Sequence, residues 1–382
     1  MKRKLNQPII KRNKMKTWKK VVLGIAIAIL ALVVAAVETV AIYLGVTYSK
    51  IKENTPVVER EEEYVLPDLP SEGIEEIPET DEPSGEDEPS DEPEDTETMV
   101  EDDIEIPVDT EEGTPTEPAP IYRREPLNPN VINVLLLGRD ARKAQLSSGV
   151  NGRSDSMIIA SFNKATGEVT LTSIMRDSLV PIEGYGWNRI NAAYSYGGVG
   201  LAINTVNNVF ELDIQNYVVI DFEGIENLVD SLGGVEVTLT AKEVAHYQAK
   251  YGRVADGLVA GVNNLTGKQA LMHARNRQIG NDFERTRRQR DLLTSIFNEV
   301  KAMDSLTTAL AFVDSATRLV STNMSIGEIT SLATSLFTSN IHITNARIPC
   351  DGSYKNVRYY GASVLQINIQ KNIDYIYDII NN

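Results

Sequence analysis

The sequence predicts an α/β fold, with a mixed central β-sheet sandwiched by helices, preceded by one transmembrane helix and a disordered linker. Strand-like and helix-like patterns alternate along residues 126–382, which favours a sheet covered by helices. Two of the strands are separated only by the turn-forming residues 163–168, which indicates a hairpin and therefore some antiparallel pairing. The N-terminal third has a different composition, with a basic tail, an apolar run and an acidic stretch.

The first 48 residues predict a signal anchor. Residues 1–20 carry nine Lys or Arg and no acid, and residues 21–48 are uncharged apart from Glu38. About 20 apolar residues span a bilayer, whereas the apolar core of a cleaved signal peptide has only ~7–15. Because a basic flank stays inside the cell, we expect a cytoplasmic tail, a single crossing at residues 21–48 and an extracytoplasmic remainder. A cleaved signal peptide is the alternative.

Residues 49–125 are predicted to be an extracellular, acidic, disordered linker. Residues 59–117 hold 27 Asp or Glu and a single basic residue, Arg60. Such a stretch buries too little apolar surface to fold alone and repels itself. The net charge of −17 reflects this stretch, because residues 118–382 hold 25 acidic and 25 basic residues. A neutral extracytoplasmic domain argues against nucleic acid as a partner.

Cysteine and histidine exclude two other kinds of site. Cys350 is the only cysteine, so no intrachain disulfide can form. The three histidines have no spacing typical of metal ligands, which argues against a zinc centre.

The catalytic domain is predicted at residues 126–382, with strands from apolar runs and helices from apolar periodicity. Gly and Pro clusters supply the breaks, as at Gly233-Gly234. The predicted strands are 131–137, 157–162, 169–174, 217–220, 235–239 and 342–348. The predicted helices are 201–210, 222–232, 267–275, 283–303, 305–319, 326–337 and 364–380.

Acidic residues are predicted to meet at one edge of the sheet. The first strand leads into Gly138-Arg139-Asp140, and the next strand is preceded by Arg153-Ser154-Asp155. Two carboxylates together with phosphate oxygens are a ligand set that suits Mg²⁺, or the similar Mn²⁺. Asp140 and Asp155 are therefore candidate metal ligands. The alternative is that each carboxylate caps a turn or pairs with a neighbouring arginine.

A third strand end adds a cation to the same edge. The second strand of the hairpin is followed by Arg176-Asp177, which would lie beside the two acids if the strands pair as predicted. The alternative is a surface ion pair, which contributes little to stability. Arg189 follows downstream, before the pair Gly197-Gly198.

The densest basic segment begins with Arg275-Asn276-Arg277. Residues two apart point to opposite sides of a helix but share a face when extended. Arg275 and Arg277 can therefore meet one ligand only if the helix ends near Ala274.

The next helix has a charged face that becomes apolar. Its first two turns place four polar side chains within an arc of about 120°. These are Asp282, Arg285, Arg288 and Gln289. The same side continues with Leu292, Leu293 and Ile296. This pattern indicates a helix that runs from a charged pocket into a core, and clustered guanidinium groups suit a phosphate or pyrophosphate ligand.

Together these motifs resemble the LytR–CpsA–Psr family of bacterial cell-wall glycopolymer ligases. The resemblance covers residues 130–300, with the motifs in the family's order. They are Leu137-Gly138-x-Asp140, Arg153-Ser154-Asp155, Arg176-Asp177, Ile190-Asn191-Ala192-Ala193-Tyr194, Asp221-Phe222-x-Gly224, Leu232-Gly233-Gly234-Val235, Leu265-x-Gly267-x-Gln269-Ala270-Leu271, Arg275-x-Arg277 and Asp282-Phe283-x-Arg285-x-x-Arg288-Gln289.

The resemblance implies a membrane-anchored phosphotransferase. Family members transfer a glycan phosphate from a polyprenyl-pyrophosphate-linked glycopolymer, such as a teichoic acid or capsule, to a hydroxyl of peptidoglycan. By this resemblance Asp140 and Asp155 are expected to hold Mg²⁺. The expected catalytic residues are Arg176, Asp177, Asp282 and Arg285. The expected pyrophosphate and lipid head-group ligands are Arg189, Arg275, Arg277, Arg288 and Gln289.

Two other hypotheses about function remain open besides a ligase. A hydrolase would use the same groups and let water replace the sugar hydroxyl, and a regulatory module would bind polyprenyl lipids without turnover. The sequence also departs from the family pattern at His273-Ala274, where an aromatic and an aliphatic residue are usual.

Overall fold

The computed structural model describes residues 55–77, 105–108, 118–139 and 154–381. The predicted cytoplasmic tail, the predicted membrane anchor and Asp140 lie outside these ranges. Within them, no helix is both long and apolar enough to cross a bilayer.

Along the described ranges the chain forms fifteen strands and eight α-helices. The strands are β1 (Val57–Val58), β2 (Ile74–Glu76), β3 (Ile121–Tyr122), β4 (Val131–Arg139), β5 (Ser154–Asn163), β6 (Glu168–Ile174), β7 (Ser178–Ile182), β8 (Gly186–Arg189), β9 (Asn216–Asp221), β10 (Val235–Leu239), β11 (Gly261–Leu265), β12 (Val320–Thr322), β13 (His342–Ile348), β14 (Tyr354–Tyr359) and β15 (Ala362–Ile367). The helices are α1 (Ala192–Phe210), α2 (Phe222–Ser231), α3 (Ala241–Tyr251), α4 (Gly267–Arg275), α5 (Asp282–Lys301), α6 (Leu306–Ala316), α7 (Ile326–Thr338) and α8 (Ile369–Asn381).

A mixed six-stranded sheet forms the centre of the fold, in the order β12-β9-β4-β5-β6-β13. β4 is parallel to β9 and β6 is parallel to β13, while the remaining pairs are antiparallel. This confirms the predicted mixed α/β class. Strand residues alternate between the two faces. In β4, Leu135 belongs to the main buried core with α1, whereas Leu136 lines a cavity on the helix-covered opposite side.

A second, five-stranded sheet was not predicted. Its order is β2-β14-β15-β7-β8, and its buried cluster includes Leu179, Val357 and Val364. β7 and β8 are short, and β15 extends over residues 364–367, which the sequence predicted as the start of the terminal helix. That helix, α8, begins only at Ile369.

Several predicted elements match closely, and two helices differ. The predicted bounds of β10, α4 and β13 agree with the structure. α1 begins nine residues earlier than predicted, because its chain continues through a kink at Gly197 and Gly198, where Gly198 has φ 66°. α3 was missed because its apolar stripe is narrow, with only Val244 and Tyr247 as buried apolar residues.

The predicted disorder of residues 49–125 is wrong for the segments that the structure describes. β1 pairs with β3, and β2 adds to the edge of β14. Ile106 is 5% exposed and Ile121 is fully buried. Isolated apolar residues such as Ile106 and Ile121 are thus buried in the hydrophobic clusters of the domain, so the high charge density of the stretch does not exclude packing.

The contact between residues 118–120 and α1 supplies a test of this docking. A Cβ added to Gly200 would lie 1.8 Å from the carbonyl oxygen of Ala119, so Gly200→Ala forces the two segments apart. We expect a loss of about 1–3 kcal/mol in the free energy of unfolding, although Ala normally favours helix. Thermal melts followed by circular dichroism would measure it.

Gly327→Ala in α7 is the matched control. Its nearest atom outside the adjacent residues is Ser325 Oγ, at 3.9 Å, so we expect an unchanged or slightly raised melting temperature. Equal losses in both variants would contradict the docking of residues 118–120 on α1.

Candidate active site

Three strand ends meet at one edge of the six-stranded sheet. Arg139 pairs with Ser154 where β4 ends and β5 begins, and Asp155 follows directly. β6 runs antiparallel to β5 and delivers Arg176 to the same edge, where its Nη1 lies 3.9 Å from Asp155 Oδ1. The structure therefore brings Asp155 and Arg176 together as the predicted pairing requires. Asp140 follows Arg139 in the chain but lies outside the described residues.

Residues 275–277, called the arginine segment below, approach this edge from the helices that cover the sheet. α4 ends at Arg275, and Asn276 has extended backbone angles, φ −64° and ψ 124°. This is the helix end that the sequence required for Arg275 and Arg277 to share a ligand. Arg277 Nη2 lies 3.3 Å from Asp155 Oδ1 and donates a hydrogen bond to it. The Arg275 guanidinium lies over the Phe222 ring, 3.8 Å from its centroid.

The first turn of α5 supplies an acid and a buried arginine. The Asn281 side chain caps the helix by accepting a hydrogen bond from the Glu284 backbone N–H. Asp282 is then the first helical residue, where the helix dipole favours a negative charge. Its Oδ1 lies 2.7 Å from Arg285 Nη1 and 3.9 Å from Arg176 Nε.

Arg285 is buried without a hydrogen bond among the described residues. It is 2% exposed, and its Nε, Nη1 and Nη2 find no acceptor in hydrogen-bond geometry there. Burial lowers the pKa of the Arg285 guanidinium from its usual value, and Asp282 opposes that shift. An arginine nevertheless stays protonated at neutral pH. A buried cation with unused donors is costly to maintain, so this position favours binding of an anion.

The arginines close one end of a cavity of about 890 Å³. The cavity lies between the six-stranded sheet and helices α2, α4 and α5. Its walls are apolar, including Leu136, Ile158, Ile220, Leu271, Leu292 and Ile296. Its polar end includes Asp155, Arg275, Arg277, Arg285 and Gln289. The α5 face thus changes from charged to apolar along the cavity, as the sequence predicted.

Two arginines predicted as head-group ligands point elsewhere. Arg189 is 7% exposed and donates twice to the Ser363 carbonyl oxygen, at 3.2 and 3.0 Å. Arg288 is 2% exposed and donates to the carbonyl oxygens of Asn276 and Ile279, at 2.7 and 3.0 Å. Neither residue lines the cavity. The helical arc correctly placed Arg288 near Arg285 but could not reveal the loop carbonyls that bind it.

Both arginines instead contact residues that hold the site together. Arg189 Nε lies 3.6 Å from Asp177 Oδ1, and Asp177 Oδ2 accepts a hydrogen bond from Arg176 Nε at 3.2 Å. This places Asp177 where it can orient Arg176. Arg288 Nη1 lies 3.6 Å from Glu243 Oε1.

The sequence reasoning missed a buried polar group on α3. Glu243 pairs with Arg288, and the sequence signal for it is the pattern Thr240-x-x-Glu243, a capping box that the structure contains. Phe222, whose ring lies under the Arg275 guanidinium, belongs to the motif Asp221-Phe222-x-Gly224, and nothing in that motif predicts the contact with Arg275.

An apolar cavity that ends in clustered arginines defines a class of site, one for an amphiphile with an apolar tail and a phosphate-bearing head. The sequence profile of the LytR_cpsA_psr family matches residues 98–375, which is more than half of the chain. The chain belongs to the LytR–CpsA–Psr family.

Two curated relatives illustrate the similarity. The chain is 33% identical over 249 residues to polyisoprenyl-teichoic acid–peptidoglycan teichoic acid transferase TagU of Oceanobacillus iheyensis, covering 63% of this chain and 73% of TagU. It is 31% identical over 207 residues to biofilm regulatory protein A of Streptococcus mutans, covering 52% of this chain. The match spans only 51%, about half, of that second relative.

Solved structures share the fold. The structure described as TagT bound to LI-WTA superposes with a TM-score of 0.56 at 25% sequence identity. The match covers 68% of this chain and 94% of that structure. The mixed α/β architecture described above is therefore that of the family.

Removal of the Arg285 charge gives the first test of the site. We expect Arg285→Met to keep the melting temperature close to that of wild type, because removal of buried donors that lack hydrogen bonds offsets loss of the ion pair with Asp282. We expect its affinity for inorganic pyrophosphate to fall about 10- to 100-fold, through loss of charge-assisted hydrogen bonds. Calorimetry and thermal melts would measure both quantities.

Arg287→Met is the control for this test, because Arg287 is a neighbour on α5 whose side chain is 52% exposed. It should change neither quantity. A large loss of stability in Arg285→Met, with pyrophosphate binding retained, would mean that Arg285 is a structural residue.

His273 gives a second test, based on pH. It is 3% exposed, and burial lowers its pKa from 6.5 to about 4, with Glu243 opposing the shift. As the pH falls through this window the unfolded chain binds a proton that the folded chain does not. Stability should therefore decrease by about 1.4 kcal/mol per pH unit between these values.

His273→Gln should flatten this dependence in urea denaturation curves between about pH 7 and pH 5. His342→Gln, at an exposed position in β13, should not. A wild-type stability that stays constant across the window would contradict a neutral, buried His273.

Proposed function

We propose that this chain is a membrane-anchored phosphotransferase of the extracytoplasmic surface. It moves a glycan phosphate from a polyprenyl-pyrophosphate-linked glycopolymer to a hydroxyl of peptidoglycan and releases polyprenyl phosphate. The observation that carries the proposal is the apolar cavity that ends at the buried Arg285 guanidinium. The name of the relative TagU, a polyisoprenyl-teichoic acid–peptidoglycan teichoic acid transferase, supports it.

The cavity and the arginines divide the work of binding. The apolar walls suit a prenyl chain, since each Å² of apolar surface removed from water contributes roughly 25 cal/mol. At the polar end, Arg275, Arg277 and Arg285 can bind the pyrophosphate oxygens, and planar guanidinium groups match their geometry. Gln289, whose Nε2 lies 3.5 Å from the Ala274 carbonyl oxygen, adds a neutral donor.

The transfer exchanges one phosphorus–oxygen bond for another. The acceptor hydroxyl oxygen attacks the phosphorus that carries the glycan, and the bond from that phosphorus to the bridging oxygen breaks. The bond's electron pair leaves with polyprenyl phosphate. Arg176 and Arg285 lie where they can stabilise the charge that develops on the phosphate oxygens.

The hydroxyl proton needs an acceptor, and Asp282 suits that role. Its Oδ1 forms an ion pair with Arg285, while its Oδ2 is buried and has no hydrogen-bond partner among the described residues. A carboxylate within hydrogen-bond reach of the nucleophile can take the proton in the transition state.

Mg²⁺, or Mn²⁺, is proposed as the cofactor, with Asp140 and Asp155 as its ligands. Asp155 presents a hard carboxylate oxygen at the polar end of the cavity, which fits this metal. The described residues contain no group of three or more Asp, Glu, His or Cys side chains that could hold a metal, so the site would depend on Asp140. When bound, the ion would neutralise charge on the phosphate oxygens.

The membrane anchor at residues 21–48, the cytoplasmic basic tail and the peptidoglycan partner are part of the same proposal. An anchored enzyme remains close to a lipid-linked donor, which raises the effective concentration of that donor.

The decisive experiment uses the full chain in detergent, with a synthetic polyprenyl-pyrophosphate glycan and peptidoglycan oligomers, with and without Mg²⁺. Mass spectrometry should find a phosphodiester-linked glycan on the acceptor that requires Mg²⁺. Arg277→Lys should lower the rate about 100-fold, because an ammonium lacks the planar fork.

Arg287→Lys, at an exposed position of α5, should leave the rate unchanged. Glycan phosphate released without an adduct would favour the hydrolase instead. Bound but unchanged lipid, with no Mg²⁺ dependence, would favour the binding module.

A further inference from the structure

One face of α3 points towards the arginine segment, although α3 carries no residue assigned to catalysis. The face consists of Glu243, Tyr247 and Lys250. Their spacing of four and then three residues places them above one another on a single side of the helix. These side chains contact Arg288 in α5, His273 in α4 and Gln278 in the loop between the two helices.

The first contact runs through a buried ion pair. Glu243 Oε1 lies 3.6 Å from Arg288 Nη1, and the two side chains are 7% and 2% exposed. Arg288 Nη2 then donates to the carbonyl oxygens of Asn276 and Ile279. These two carbonyls flank Arg277, so Arg288 ties the loop that carries Arg277 to α5, the helix that carries Arg285.

Two further contacts lie along the same face. The Tyr247 hydroxyl lies 3.0 Å from His273 Nδ1, in α4 two residues before Arg275. Lys250 Nζ donates a hydrogen bond to the side-chain oxygen of Gln278, the residue after Arg277. The arginine segment is thus held before, beside and after Arg277.

The charge of the Glu243–Arg288 pair argues for a positioning role. Burying an ion pair costs desolvation energy, and a well-packed apolar pair in its place is often as stable or more stable. Hydrogen bonds from the Thr240 backbone and side chain oppose the effect of burial and hold the pKa of Glu243 below its usual value, so it remains charged. Apolar side chains could not donate the two hydrogen bonds that Arg288 gives to the carbonyl oxygens of Asn276 and Ile279.

We propose that α3 positions the arginine segment through Glu243 and Arg288, and that this fixed spacing of Arg277 and Arg285 selects a pyrophosphate over a monophosphate. Two arginines on separate elements can each engage one of two adjacent phosphate groups, but only if their separation is constrained. The inference rests on the proposed pyrophosphate-binding role of this site. Arg288 and Glu243 are positioning residues and touch no ligand.

The test compares farnesyl pyrophosphate with farnesyl monophosphate, using the full chain in detergent and calorimetry. Wild type should prefer the pyrophosphate at least about tenfold. Arg288→Met should weaken pyrophosphate binding about 10- to 100-fold, as loss of a supporting contact does at other preorganised sites, and should bring the preference close to one. Arg287→Met should keep the wild-type preference, because Arg287 pairs with Glu284 on the exposed side of the same helix.

The double variant Glu243→Leu/Arg288→Met separates positioning from stability, and it carries the test should Arg288→Met alone not fold. A melting temperature near wild type together with a lost preference supports the proposal. A double variant that recovers both the melting temperature and the preference for pyrophosphate overturns it, because a loss of stability alone would then explain the weak binding of Arg288→Met. Wild type that binds neither farnesyl compound overturns this inference together with the proposed function, whereas a preference that survives in every variant overturns this inference alone.

Discussion

The rest of the site depends on one electrostatic constraint, a guanidinium group held in the protein interior beside a single carboxylate. Arg285 lies next to Asp282 at the start of α5, and the nearby charges of Arg176 and Arg277 make its cationic form still harder to maintain. An interior charge with unused donors can persist only where the surrounding fold is stable enough to bear the cost. The fold supplies this stability in two ways. The start of α5 is capped, and acidic and basic side chains alternate at the sheet edge. The Arg285 donors that lack hydrogen bonds lie at the cavity, where a ligand can accept hydrogen bonds from them.

The six-stranded sheet makes this arrangement possible because its two faces do different things. One face packs on α1 and α8 and forms the largest buried cluster in the described part of the chain. The other face is left incompletely covered by α2, α4 and α5, and the remaining space is the cavity. Stability is therefore concentrated on one side of the sheet and binding on the other. Strand alternation alone assigns Leu135 to the first role and Leu136 to the second.

Local patterns in the sequence predicted the elements that carry the site, and failed where a contact depends on distant chain. The helix end at Arg275 and the charged-to-apolar face of α5 follow from spacing, so Arg285 and Gln289 were assigned to the cavity side correctly. The same spacing could not separate Arg285 from Arg288, because what distinguishes them is a loop whose carbonyls reach only one of the two. Arg189 was misplaced for a similar reason, since its acceptor, the Ser363 carbonyl oxygen, lies in a strand the sequence did not predict. The acidic stretch was judged by its composition, whereas its docking depends on a few isolated apolar residues.

The short strand β2 has a consequence for how copies of this chain behave towards one another. β14 would otherwise be an edge of the second sheet, and an uncovered edge offers backbone donors and acceptors to any passing strand. β2 occupies that edge, and its own sequence, Ile74-Glu75-Glu76, presents acidic side chains outward. This part of the acidic stretch therefore disfavours aggregation through strand pairing between copies of the chain. A shortened chain that lacks it would retain the cavity and the arginines, and its loss would appear as poor colloidal behaviour rather than as altered chemistry.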